Sequence, residues 1–157
     1  RPFSMNKSLA IALFVFSSSV ASAQPGPGPT SVTPAPPDPG LGIKTDIERN
    51  AALLLDMIRD YAGTVAGTPI VYNGNRYPYF FADANGDAVI DESEGRAVVY
   101  GTWTPRMLRA AYNWKLVTSD PGNYAHNPVY SLELLYDSIE DLAGPLDVPM
   151  ERLGLLR

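Results

Sequence analysis

The chain has 157 residues, 45% of them hydrophobic, with 12 Lys and Arg against 17 Asp and Glu and a net charge of −5. A length of that order fits one domain, and the acidic balance makes the chain a poor candidate for nucleic acid or an anionic membrane surface, both of which demand clustered Lys and Arg. Cysteine is absent, which excludes disulfides, thiolate metal sites and covalent haem attachment through C-x-x-C-H.

Residues Met5 to Ala23 read "MNKSLAIALFVFSSSVASA". Lys7 supplies a positive start, Leu9 to Phe16 an apolar stretch, and Ala21 to Ala23 a small-residue cleavage signal. The apolar run is shorter than the roughly 20 residues that span a bilayer. Residues 1–23 are therefore expected to be a signal peptide, with 1–4 an upstream extension, a mature start at Gln24 and no stable membrane span. The expected location is periplasmic or extracellular. Residues 24–43 follow as a Pro/Gly-rich linker, because alternating Pro and Gly with few large apolar residues cannot bury a core. The folded domain is expected over 44–157.

A first helix is expected over "TDIERNAALLLDMIRDYAG". Thr45 with Glu48 makes a capping-box pattern, Ile47, Ala51, Leu54, Ile58 and Tyr61 recur at helical spacing, and Gly63 is the stop. Asn73-Gly74 between short apolar-aromatic runs predicts a short β-hairpin or turn, and Pro78 argues against a regular helix just before Asp83. A second helix is signalled by Thr104 as cap and Pro105 in the first turn, with Met107, Ala111, Trp114 and Val117 on one face. A third starts at Asn127-Pro128, with Val129, Leu132, Leu135, Ile139 and Leu142 as its stripe and Gly144 closing it. A short helical tail is expected over Pro149 to Leu156. The fold class is mainly α: a small helical domain carrying one specialised loop and the short hairpin.

That loop is "DANGDAVIDESE", Asp83 to Glu94. Calcium takes six to eight hard oxygen ligands around a tightly curved backbone, drawn from positions one, three, five, seven, nine and twelve of a twelve-residue loop. Those positions hold Asp83, Asn85, Asp87, the Val89 carbonyl, Asp91 and Glu94, with Glu94 expected to bind through both oxygens. Ile90, at the eighth position, is the apolar anchor. This resembles the EF-hand family at every ligand position and implies a Ca2+ cofactor. Two departures stand out. The sixth position is Ala88 where the family uses Gly, and no entering helix longer than a turn fits before Asp83. The residues after the loop are expected to start an exiting helix.

The motifs "YPYFFADANGD", "WTPRMLRAAYNW", "DPGNYAHNP" and "LLYDSIEDL" lie between Pro69 and Leu142. They resemble the C-terminal region of large bacterial multihaem c-type cytochromes. The resemblance implies an iron-ligating role for the segment ending "HNP", which places His126 at the matching position. This chain has no haem-attachment motif, and His126 is its only histidine, so a structural role beside Asn127 is the expectation for it. Asp137, Glu140 and Asp141 read as a solvated acidic face rather than an acid-base pair. Tyr112, Trp114, Tyr124 and Tyr130 read as core. No catalytic constellation is present, and the chain is expected not to be an enzyme. The expected function is that of an exported calcium-binding protein whose loop serves stability or partner docking. The alternative is an accessory module of an extracytoplasmic multihaem cytochrome system.

Overall fold

The computed structural model describes residues 42–93 and 95–155. The expected signal peptide, most of the expected linker, Glu94 and the last two residues lie outside the described residues. Helix α1 spans Gly42–Thr64, α2 Pro105–Thr118, α3 Asn123–His126 and α4 Pro128–Leu146, and a 3-10 turn covers Met150–Arg152. Between α1 and α2 lie four short strands: β1 Ile70–Tyr72, β2 Phe80–Ala82, β3 Glu92–Ser93 and β4 Arg96–Ala97. The protein is mainly α, as its periodicity predicts.

Helices α1, α2 and α4 pack on one another around a shared core. Leu54 and Ile58 of α1, Met107 of α2, and Leu135, Ile139 and Leu142 of α4 are fully enclosed. Burying each such side chain contributes about 1.5–3 kcal/mol relative to leaving it in water. Polar ties fix how the elements meet. Trp114 Nε1 donates to the Ala51 carbonyl at 2.8 Å, joining α2 to α1. Asn123 Nδ2 donates to the Val117 carbonyl at 2.8 Å, folding α3 back on the end of α2. Arg106 and Arg109 of α2 both reach Asp141 of α4, at 2.9 and 3.0 Å. That carboxylate is thus a bridge between helices rather than part of a merely solvated face.

Helix α2 begins as expected: Thr104 Oγ1 accepts from the Met107 N–H at 3.2 Å, with Pro105 in the first turn. The other ends differ. Helix α1 starts at Gly42, so Thr45 lies inside it and its pattern with Glu48 is not the cap. Gly42 and Ile43 thereby belong to the helix rather than to the linker. Asn127 makes no side-chain cap bond. Helix α4 passes through Gly144 and Pro145 and closes at Asp147, whose left-handed φ of 54° lets its N–H reach the carbonyls of Ala143 and Gly144. Val129, expected on the buried stripe of α4, is 61% exposed because it sits in the first turn, beyond the packed face.

Strands β1 and β2 pair antiparallel, Ile70 with Ala82 and Tyr72 with Phe80. Residues 73–79 connect them, and Asn73 Oδ1 accepts from the Asn75 N–H at 3.0 Å to shape the turn. The other edge of β2 is also used. Ala82 donates to Val98 at 2.8 Å, and Tyr100 donates to Phe80 at 3.1 Å. The chain therefore leaves and re-enters the helical core as a small β insert, and the Asp83 loop is its outer end.

Candidate functional site

The loop opens from a buried strand. All three residues of β2 are buried, and so is Asp83 directly after it, at 4% exposure. Its two carboxylate oxygens accept backbone N–H groups: Oδ1 from Asp87 at 3.0 Å and Oδ2 from Ala88 at 3.0 Å. A buried carboxylate bonded on both oxygens organises the turn around itself. Further out, Asp87 Oδ1 accepts from the Val89 N–H at 2.8 Å, and Asn85 Nδ2 donates to Asp87 Oδ2 at 3.0 Å. The loop closes where Asp91 Oδ2 accepts from the Ala84 N–H at 2.7 Å and the Asp91 N–H donates to the Ala82 carbonyl at 3.1 Å.

The sixth loop residue has the sharp turn that the spacing requires. Ala88 sits at φ 62°, and Gly86, two residues earlier, at φ 73°. A left-handed non-glycine residue costs roughly 1–2 kcal/mol, so Ala88 holds its place because the Asp83 carboxylate grips its N–H. Asn85 and Asp87 are exposed, Ile90 and Asp91 are half-buried, and Val89 is 62% exposed. Glu94 lies outside the described residues. Among the described residues, no three acidic or imidazole side chains converge on one point. Asp83, Asp87 and Asp91 each accept backbone N–H groups instead. The donor set is nonetheless made of hard oxygens on one curved segment, the chemistry that suits calcium.

The exit from the loop is not a helix. Strands β3 and β4 pair antiparallel, Glu92 with Ala97 and Ser93 with Arg96, and Gly95 takes a left-handed φ of 71° between them. Val98 donates to the Asp91 carbonyl at 2.8 Å. The β-branched run Val98-Val99 and the Tyr100 that follows favour an extended chain paired on β2, and this pairing overrides the helical start expected after Glu94. The exiting helix implied by the EF-hand resemblance is thus replaced by paired strands, and β1 and β2 precede the loop where that family has an entering helix.

His126 lies in the last turn of α3, and its imidazole Nε2 is 3.2 Å from Asp120 Oδ2 on the surface. It does not cap α4. Trp114 is core, packed edge-on to Tyr72 with ring centres 4.7 Å apart. Tyr112, Tyr124 and Tyr130 are exposed at 68%, 38% and 50%, contrary to the expectation that they are core. Tyr112 lies outside the Met107–Ala111–Trp114–Val117 face of α2, which is the one that is buried. No helix among the described residues is long and apolar enough to cross a membrane.

Part of the chain is similar in sequence to polyhaem c-type cytochromes. It is 38% identical over 86 residues to the C-type polyheme cytochrome OmcC of Geobacter sulfurreducens, and 37% identical over 86 residues to OmcB of the same species. Each match covers 48% of this chain and 11% of the relative. The chain thus spans about a ninth of the length of the curated relatives it matches. No family model matches the sequence, and no solved structure does.

Proposed function

We propose that the chain is an exported accessory module of an extracytoplasmic polyhaem cytochrome system, contributing protein surface rather than a haem of its own. The observation that carries this is the 86-residue similarity to two polyhaem cytochromes, set against a sequence without a single cysteine. The relatives' names speak of many haems. This chain cannot attach one through C-x-x-C-H, so it is assigned a supporting part and no catalytic step. In the test, the purified chain is mixed with polyhaem c-type cytochromes isolated from the same cell envelope and run on gel filtration. Co-elution of the chain with haem absorbance is expected. Elution of the chain alone beside every such cytochrome would overturn the reading.

A second reading concerns the loop, and the left-handed Ala88 at its sixth position favours it. Asp83, Asn85, Asp87, the Val89 carbonyl, Asp91 and Glu94 would hold one Ca2+, whose charge would offset the mutual repulsion of the carboxylates. An ion bound only by the folded state stabilises it by about 2.7 kcal/mol when it is 100-fold above its Kd. Thermal melts in excess calcium and in chelator test this: a higher Tm in calcium, lost in Glu94→Gln, is expected. Equal melting temperatures for the wild type would leave the loop as a self-bonded polar turn.

A further inference from the structure

The β insert carries the same dipeptide twice: Asn73-Gly74 in the turn between β1 and β2, and Asn85-Gly86 in the acidic loop. Glycine has no Cβ to shield its amide nitrogen, so in Asn-Gly that nitrogen can reach the side chain before it. Its attack on the Asn Cγ forms an N–Cγ bond, closes a succinimide ring and expels the side-chain nitrogen as ammonia. Water then opens the ring at either carbonyl and leaves aspartate or isoaspartate. The sequence consumes one water and is redox-neutral. Three events set its rate: the glycine nitrogen loses its proton, the Cγ oxygen takes on negative charge, and the amide nitrogen departs.

We propose that Asn73 is a site of spontaneous deamidation in the folded protein, and that the fold protects the identical pair at Asn85. At Asn73 all three events are favoured. Its Oδ1 already accepts the Asn75 N–H at 3.0 Å, so a donor is aimed at the oxygen that becomes anionic, as in an oxyanion hole. Among the described residues, neither the Gly74 N–H nor Asn73 Nδ2 has a hydrogen-bond partner. Gly74 is exposed to solvent base. A cation also stands close: the Tyr72 hydroxyl lies 3.2 Å from where a Cβ on Gly74 would sit, and Lys115 Nζ lies 3.2 Å from that hydroxyl. Nearby positive charge favours the deprotonated nitrogen. At Asn85 the same groups are tied down. The Gly86 N–H donates to the Asp83 carbonyl at 3.1 Å, and Asn85 Nδ2 donates to Asp87 Oδ2 at 3.0 Å. The donor to Asn85 Oδ1, the Asp87 N–H, is more distant at 3.3 Å. Negative charge at Asp87 opposes both the deprotonated nitrogen and the oxyanion. The product at Asn73 is a one-way chemical mark on the outer turn. The main chain of Asn73 is bonded on both sides, its N–H to the Tyr79 carbonyl at 2.7 Å and its carbonyl to the Arg76 N–H at 3.3 Å. Aspartate adds a negative charge there. Isoaspartate reroutes the chain through the side chain, adds a methylene and breaks this pair of bonds.

The test follows both pairs in one sample. The whole wild-type chain is incubated folded, in chelator, at mildly alkaline pH, and a second portion is incubated unfolded in urea. Peptide mass mapping reads the conversion at each Asn, and electron-transfer fragmentation separates aspartate from isoaspartate. In the folded protein Asn73 is expected to convert about tenfold faster than Asn85 or more, the change that one or two lost hydrogen bonds make in a rate. In urea the two rates should come together. Equal conversion in the folded protein, or faster conversion at Asn85, would overturn the proposal. So would a preference for Asn73 that persists unchanged in urea, because it would then belong to the flanking sequence and not to the fold. No conversion at Asn73 in the folded chain, over a time in which the unfolded chain converts, would also overturn it.

Discussion

Asp83 Oδ2 accepts the N–H of Ala88 at 3.0 Å, and Ala88 is held at φ 62°. A buried carboxylate thus fixes a residue in a conformation that its own Cβ resists. Asp83→Ala leaves two backbone N–H groups, of Asp87 and Ala88, without their acceptor. The expected loss is about 1–3 kcal/mol in chelator as well as in calcium, read from urea unfolding. Ala88→Gly removes the Cβ conflict and should stabilise the domain by about 0.5–1 kcal/mol, because Gly takes a left-handed φ without steric cost.

Tyr100 is 2% exposed, and its hydroxyl donates toward the carbonyls of Thr68 and Thr102, at 3.1 and 3.3 Å. Burial pushes its phenol above the ordinary value of 10.0. The folded state therefore holds this proton more tightly than the unfolded chain does. That contribution is complete below pH 10 and is lost as pH rises through the raised folded value. Tyr100→Phe should cost about 1 kcal/mol at neutral pH. It should also flatten the alkaline fall in stability, measured as Tm against pH.

Near the end of α1, Asp60 has its carboxyl raised above the ordinary 3.8, first by desolvation and then by the like charge of Asp56 one turn earlier. A raised carboxyl means that the folded state binds the proton better. Stability therefore grows as pH falls through the raised value toward 3.8, and Asp60 works against the fold at neutral pH. Its position near the helix C-terminus adds to this. Asp60→Asn should stabilise the protein by about 0.2–0.5 kcal/mol at pH 7. The difference should vanish below pH 3.8 in urea titrations.

His126 and Asp120 form an exposed pair at 3.2 Å, with side-chain exposures of 62% and 46%. Surface pairs of this kind contribute about 0–1 kcal/mol. His126→Ala is expected to shift stability by less than about 0.5 kcal/mol, and addition of free haem should give no Soret shift with either protein.

The second helix was readable because its signals are local: a cap, a proline and a repeating apolar face lie within the segment itself. The core face of α4 from Leu132 to Leu142 was readable for the same reason. What the linear pattern left hidden depends on distant partners. Val98 and Tyr100 find β2 some eighteen residues earlier along the chain, and no spacing rule anticipates that pairing. Val129 and Leu132 are both apolar, and only the packing of α1 and α2 against α4 decides that the second alone is enclosed. At the loop, the spacing of Asp83, Asn85, Asp87 and Asp91 was plain. That Asp83 is buried and bonded to amides on both oxygens was not, because burial follows from the strand that delivers it.

Strand β2 is bonded along both edges, to β1 on one side and to Val98–Tyr100 on the other, and its Ala82 carbonyl also receives the Asp91 N–H. The loop therefore has no hinge at its base. Opening it would tear a strand whose three residues are buried, so residues 83–91 are expected to melt with the domain as one cooperative unit rather than fraying ahead of it. The amide hydrogens of Ala82 and Tyr100, which donate across this edge at 2.8 and 3.1 Å, should exchange as slowly as those of the helical core. Any event that tightens or loosens the loop is then registered across the whole molecule.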